Sequence, residues 1–263
     1  MADAHLTQPR QITRTADMSV DAGLRSFMLG VYNKLMVGIL LAGGLAYVAG
    51  AIPAVSQLVF GTPIYFVVLW GPVVLLLGST FFMRNPSPLA TAILYWSIVS
   101  LLGLGLGIWV AGAELAASGR GVDFATRGGI PFSSLSYVTI AKAFLITASA
   151  FGALSLWGYT TKRDLSGIGS FAVMALWGVV ALSLVNLILP ASSTFEWVIM
   201  GAVFALSAVL IAVETQQLKG GYYKFGGDAR SLAVLTNWGA LNFFVSFVNM
   251  FRIVLMFLSS RDR

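Results

Sequence analysis

The sequence contains no cysteine and a single histidine, His5. Without cysteine there can be no disulfide, no thiolate-held zinc or iron–sulfur cluster and no thiol nucleophile. With its one imidazole in a polar stretch near the start, the chain has none to place in an intramembrane metal site or a Ser-His-Asp triad. Charge is scarce too. Only 10% of the 263 residues are Asp, Glu, Lys or Arg, against about 25% in a typical soluble domain.

What is abundant is apolar. Hydrophobic residues make up 58% of the chain and the mean hydropathy is +0.87. A soluble fold needs polar cover that this composition cannot supply, so lipid is the predicted solvent for most of the chain. The net charge of +6 and the pI of about 9.8 would suggest nucleic acid in a soluble protein. Here the basic residues fall in short gaps between apolar runs, where the positive-inside rule expects them. No nucleic-acid partner is predicted.

Apolar runs of at least ~18 residues are read as membrane spans. They fall at residues 30–51, 64–83, 89–113, 134–159, 171–189, 195–216 and 237–258. The predicted fold is therefore all-α: a polytopic membrane protein with about seven transmembrane helices. Residues 1–29 form a polar N-terminal tail without the apolar core of a cleaved signal, and residues 30–263 form one transmembrane domain. Only residues 114–132 and 218–236 are expected to make loops of any length.

With the N-terminus cytoplasmic, that side holds Arg10, Arg14, Arg25, Arg84, Lys162, Arg163, Lys219, Lys224 and Arg230, and the other holds Arg120, Arg127, Arg261 and Arg263. The bias predicts an inside N-terminus. The compact loops and the absence of organelle signals suggest a bacterial plasma membrane.

Small residues recur every fourth position at Gly38, Ala42, Ala46 and Gly50, at Gly103 and Gly107, and at Gly201 and Ala205. Such rows let helix backbones approach closely in lipid. Pro72 lies inside the second span.

Polar residues within spans are the candidates for function, because each is costly to insert. Glu214 lies at the end of the sixth apolar run. It is either a boundary carboxylate solvated among headgroups or a working intramembrane acid. In the seventh span Asn242, Ser246 and Asn249 are four and three apart and share one helix face, with Phe243, Phe244, Val248 and Phe251 elsewhere around the helix. That pattern suits a helix at the centre of the bundle, its stripe serving either interhelical hydrogen bonds or a cavity. Consecutive spans run antiparallel, so Glu214, Ser246 and Asn242 can meet at one depth. Arg252, one turn beyond Asn249, is a candidate salt-bridge or gating partner. Lys34 and Lys142 are expected to snorkel to opposite interfaces.

Enzyme chemistry is not predicted. The last span has no lysine for a Schiff base, and one well-placed acid does not make an aspartyl dyad.

Three stretches in order resemble the Bax inhibitor motif family of membrane proteins. They are Thr161-Lys162-Arg163-Asp164-Leu165 after the span ending Leu156-Trp157-Gly158-Tyr159, then Val213-Glu214-Thr215-Gln216, then the run from Ala240 to Phe251. The resemblance covers nearly the whole chain from about residue 20. It implies a seven-helix fold with the last helix central. It further implies a pH-sensitive calcium leak gated by two aspartates that share a proton. Eukaryotic members suppress cell death, and a bacterial member associates with a membrane-bound ATP-dependent protease.

Carried onto this chain, the first acid is Glu214, the candidate calcium ligand, and the second position is the uncharged Ser246. Calcium takes six to eight oxygens, and Glu214, Ser246 and the carbonyls of Asn242 and Asn249 make a thinner set. Two functions follow as expectations. One is a pH-sensitive leak for calcium or another cation, with no resident cofactor and Glu214, Ser246, Asn242 and Asn249 at the gate. The other is a non-transporting regulator that binds a membrane protease or another membrane complex.

Overall fold

The computed structural model describes residues 22–83, 85–118, 135–186, 193–225 and 228–261. Most of the polar tail with His5, and Arg84, Arg120, Arg127 and Arg263, lie outside the described residues. Among the described residues eight helices follow one another: α1 (Ala22–Ala51), α2 (Pro53–Phe60), α3 (Ile64–Phe82), α4 (Pro88–Ser118), α5 (Tyr137–Thr160), α6 (Ser166–Asn186), α7 (Ser193–Phe225) and α8 (Ala229–Arg261). Six of them (α1, α3, α4, α5, α7 and α8) are long and apolar enough to cross a membrane.

α6 supplies the seventh crossing. Lys219 near the end of α7 donates to the Tyr159 carbonyl at the end of α5, so these two ends share a face. The 21-residue α6 must then carry the chain to the opposite face, where α7 begins. The eight-residue α2 is the one element that the hydropathy pattern does not reveal. It starts with Pro53 at its first turn, where the missing N–H costs nothing.

The observed helices overrun the predicted spans. α7 continues nine residues past 216 and α8 starts eight before 237, so most of the expected 218–236 loop is helix. A 33-residue helix is ~50 Å long and outreaches a ~30 Å hydrocarbon core. Hydropathy marks only the part of a helix that lies in lipid, and polar turns such as Lys219–Lys224 can continue it into water. Polar residues set the starts on the N-terminal face: Ser87 Oγ accepts from Ala90 N before α4, and Asp228 accepts from the Ser231 amide before α8.

α8 is the central helix and packs on α1, α4, α5 and α7. Phe243, Phe244, Leu241, Met250 and Leu255 are fully buried around it. Two of the small-residue rows make a close contact, α1 on α4. A Cβ at Gly103 would stand 2.7 Å from Ala42 Cα, and one at Gly50 would stand 2.4 Å from the Gly107 carbonyl oxygen. The third row does not pack: a Cβ at Gly201 would meet nothing within 4 Å. α3 lies against α4 at the periphery and runs unbroken through Pro72.

The N-terminal face collects the start of α1, the α3–α4 and α5–α6 connections and the α7–α8 turn. Phe27 of α1 contacts Tyr222 of α7 at 5.3 Å, and Asn237 of α8 donates to the Pro88 carbonyl of α4. Arg25, Lys162, Arg163, Lys219, Lys224 and Arg230 are thereby grouped on one side.

Candidate functional site: a glutamate and serine between the last two helices

Antiparallel packing sets the register of α7 on α8. The Leu235 side chain covers Gly221, the Leu218 side chain covers Gly239, and the next meeting point is polar. There Ser246 Oγ lies 2.9 and 3.0 Å from the two carboxylate oxygens of Glu214. One hydroxyl has one proton, so it bridges the two oxygens rather than saturating either. Among the described residues no other hydrogen-bond partner reaches Glu214. Both residues are half-buried.

The neighbours of Glu214 each reach a different element, which is why this stretch of α7 is so tightly specified. Val213 packs beside Leu165, and its side chain approaches Gly169 of α6. Thr215 is fully buried; its hydroxyl donates to the Ile211 carbonyl and lies 3.0 Å from Ser155 Oγ of α5. Ser155 in turn shares a hydrogen bond with the Tyr32 hydroxyl of α1. Gln216 grips the α5–α6 connection twice: its Nε2 donates to the Arg163 carbonyl at 2.7 Å, and its Oε1 accepts from Leu165 N at 2.8 Å.

The connection itself is a docked turn. Leu165 is buried, while Lys162, Arg163 and Asp164 point outward. Asp164 Oδ1 accepts from Ser166 N at 2.9 Å, at the start of α6. That backbone hydrogen bond, with help from the Ser166 side chain, holds its carboxyl below the usual carboxylate range. Lys219 covers the Tyr159 carbonyl and lies 5.0 Å above the Tyr159 ring. Two of the motif stretches seen in the sequence are therefore one structural unit, joined through Gln216.

The remaining candidates stand apart from the pair. Asn242 and Asn249 are exposed on the stripe beside Ser246, and neither bonds Glu214. Arg252 is exposed further along the stripe and pairs with no carboxylate among the described residues. Among the described residues no three His, Cys, Asp or Glu side chains converge there. Glu214 and Ser246 offer three side-chain oxygens of the six to eight that calcium takes.

A second polar cluster, at the end of the bundle where α4 begins, forms around Lys34. Its ammonium donates to Asn237 Oδ1 and lies 5.1 and 5.8 Å from the Tyr95 and Trp96 rings. Asn237 Nδ2 donates onward to the Pro88 carbonyl and to Thr91 Oγ1, and the Tyr95 hydroxyl donates to the Lys34 carbonyl. This cluster ties α1, α4 and α8 together. The available signal was an asparagine at the edge of one span and a lysine inside another.

A seven-crossing bundle around an aromatic last helix, with one acid held by a hydroxyl between its last two helices, defines a polytopic helical membrane protein with an intramembrane acid site. The chain belongs to the Bax inhibitor-1 family: residues 24–263 match the family described as "Inhibitor of apoptosis-promoting Bax1". It is similar to a protein of Caulobacter vibrioides, 43% identical over 92% of this chain and 91% of that one. It is also similar to the RP147 protein of Rickettsia prowazekii, 33% identical over 95% of each chain. The inner membrane protein YbhL of Escherichia coli is 31% identical, covering 91% of this chain and 94% of YbhL.

Proposed function

We propose that this protein is a pH-responsive cation leak protein of a bacterial inner membrane, with its N-terminus cytoplasmic and Glu214 as the proton-sensitive element. The observation that carries this reading is the Glu214–Ser246 contact itself. An acid between two packed membrane helices has a single hydroxyl partner, in a place where an ionised group is costly. Ionised, Glu214 accepts from Ser246 and attracts a passing cation. Protonated, it loses the charge that attracts the cation and gains an O–H donor of its own. Calcium is the candidate substrate, carried past Glu214 rather than held.

The stripe of Asn242, Asn249 and Arg252 supports a watered path beside the pair, because such side chains are poorly suited to lipid. The basic residues gathered on the N-terminal face support the orientation. That YbhL is an inner membrane protein supports the location.

A rival reading is a non-transporting regulator that docks on a membrane-bound protease or other complex. Ser246 favours it, since a neutral hydroxyl can make the contact a static latch. Calcium flux into vesicles holding the pure protein separates the two. A leak that varies with pH in the wild type but not in Glu214→Gln supports the gate. Equal leaks from both remove Glu214 from that role. No leak, with stable capture of a membrane protease, supports the regulator.

A further inference from the structure

α1 and α5 flank α8 without forming a packed interface of their own. The space between them is a groove in two joined parts. The part nearer the N-terminal face has a volume of about 1180 Å³ and is bounded by Arg25, Tyr32, Ser155 and Tyr159 at its polar end. It continues past Ile39, Phe144 and Phe247, which line both parts, into a pocket of about 440 Å³ that includes Trp109 and Phe251.

Polarity is graded along this groove. Among the described residues, the only charged one lining either part is Arg25, which is exposed at the mouth. Lys219 adds a second positive charge beside Tyr159. Beyond Met36 the walls are aliphatic and aromatic, with Phe247 held edge-on between Phe144 and Phe151 at 5.7 and 5.9 Å. From Arg25 to Ile39 is 14 residues of helix, or ~21 Å. One leaflet of hydrocarbon is ~15 Å deep, so this length takes in a headgroup and most of one leaflet.

We infer that the α1–α5 groove is a binding site for a phospholipid with an anionic headgroup, the headgroup at Arg25 and an acyl chain laid along Met36, Ile39 and Phe144. The positive mouth selects the headgroup charge, and the apolar body takes the chain. The first polar groups the lipid meets inside are the hydroxyls of Tyr32 and Ser155, whose hydrogen-bond chain ends at Thr215, next to Glu214. Lipid occupancy is thereby linked to the α7 segment that holds the acid. This last consequence rests on the gating reading; the binding site does not.

Two glycines make the test clean. Gly152 lines the lower part and Gly43 the upper, and a Cβ at either would meet nothing within 4 Å. A phenylalanine at either position starts from an unobstructed Cβ on the wall of the groove. Gly178, equally unobstructed and away from the groove, serves as the control.

The experiment is native mass spectrometry of the full-length protein titrated with phosphatidylglycerol or with phosphatidylcholine of the same chains. The wild type is expected to retain phosphatidylglycerol at roughly ten-fold lower concentration than phosphatidylcholine. Arg25→Gln should abolish the difference. Gly152→Phe and Gly43→Phe should weaken both lipids about ten-fold while the Gly178→Phe control matches the wild type. Thermal melts that match the wild type show that the variants are folded. Equal retention of the two lipids by the wild type, undiminished binding in Gly152→Phe, or a second protein copy occupying the groove would each overturn the assignment. Because the readout is lipid retention, its failure is distinct from failure of the flux assay.

Discussion

Ser246 Oγ meets both carboxylate oxygens of Glu214, at 2.9 and 3.0 Å, and so joins α7 to α8 at a polar step next to the apolar Leu218–Gly239 and Leu235–Gly221 contacts. A hydroxyl here gives an ionised acid one hydrogen bond but cannot share a proton with it as a second carboxyl can. Ser246→Ala should therefore destabilise the wild-type fold by about 1–3 kcal/mol when Glu214 is charged, seen as a lower midpoint of thermal unfolding. Ser246→Asp should change function instead: two adjacent acids titrate as a coupled pair in two separated steps, so the pH profile of calcium flux should shift its midpoint and broaden. An unchanged profile counts against the gating account.

Gln216 is expected to control the α5–α6 connection. Its amide makes both hydrogen bonds that hold the Arg163–Leu165 backbone to α7. Gln216→Ala should free the turn and raise the rate of tryptic cleavage at Lys162 and Arg163 several-fold, with the rest of the bundle intact. Equal cleavage rates would show that Leu165 packing alone holds the turn.

The Lys34–Asn237 cluster should be a stability determinant. Asn237→Leu removes the acceptor for Lys34 and the donor to Pro88 and Thr91 in one step. Leaving such groups unmet costs about 1–3 kcal/mol each. Thermal unfolding in detergent should show a larger loss for Asn237→Leu than for an outward position such as Asn242→Leu.

Much of this architecture is legible in the sequence, and the gaps have physical causes. The apolar runs mark the crossings because lipid demands continuous apolar surface. They miss the ends of α7 and α8 because a helix does not stop where lipid does. The Gly38–Gly50 and Gly103–Gly107 rows announce a close helix pair, but four-residue spacing does not name the partner, and the Gly201–Ala205 row finds none. Glu214 and Ser246 are paired correctly by antiparallel register. Asn242 and Asn249 share the stripe with Ser246 yet not its partner, since at 100° per residue a shared face is broad. The Lys34–Asn237 contact links positions 203 apart, and no local pattern encodes it.

The small-residue seam gives a sharp contrast. Gly103→Val would drive a side chain into the Ala42 backbone 2.7 Å away, and an overpacked core costs about 1–3 kcal/mol. Gly201→Ala, with nothing within 4 Å, should be neutral to slightly stabilising. Melting the two variants side by side checks that α1 and α4 form the tight pair.

Asp228 offers a pH dependence with a definite sign. Hydrogen bonds from the Ser231 hydroxyl and amide hold its carboxyl below the usual range. A depressed acid stabilises the folded state above its unfolded value of about 3.9, and the contribution is lost as pH falls through the lower folded value. Asp228→Ala should therefore speed exchange of the first amides of α8 at neutral pH, and the gap from wild type should close as pH falls below the usual carboxylate range.

The central claim is that protonation of Glu214 is the event that changes ion flux. Infrared difference spectra of the reconstituted protein, recorded across pH for the wild type and Glu214→Gln, measure that protonation directly. A carboxyl band present in the wild type, missing in the variant, and titrating with the same midpoint as calcium flux is the predicted result. A Glu214 band whose midpoint bears no relation to the flux, or a flux profile that Glu214→Gln leaves intact, would contradict it.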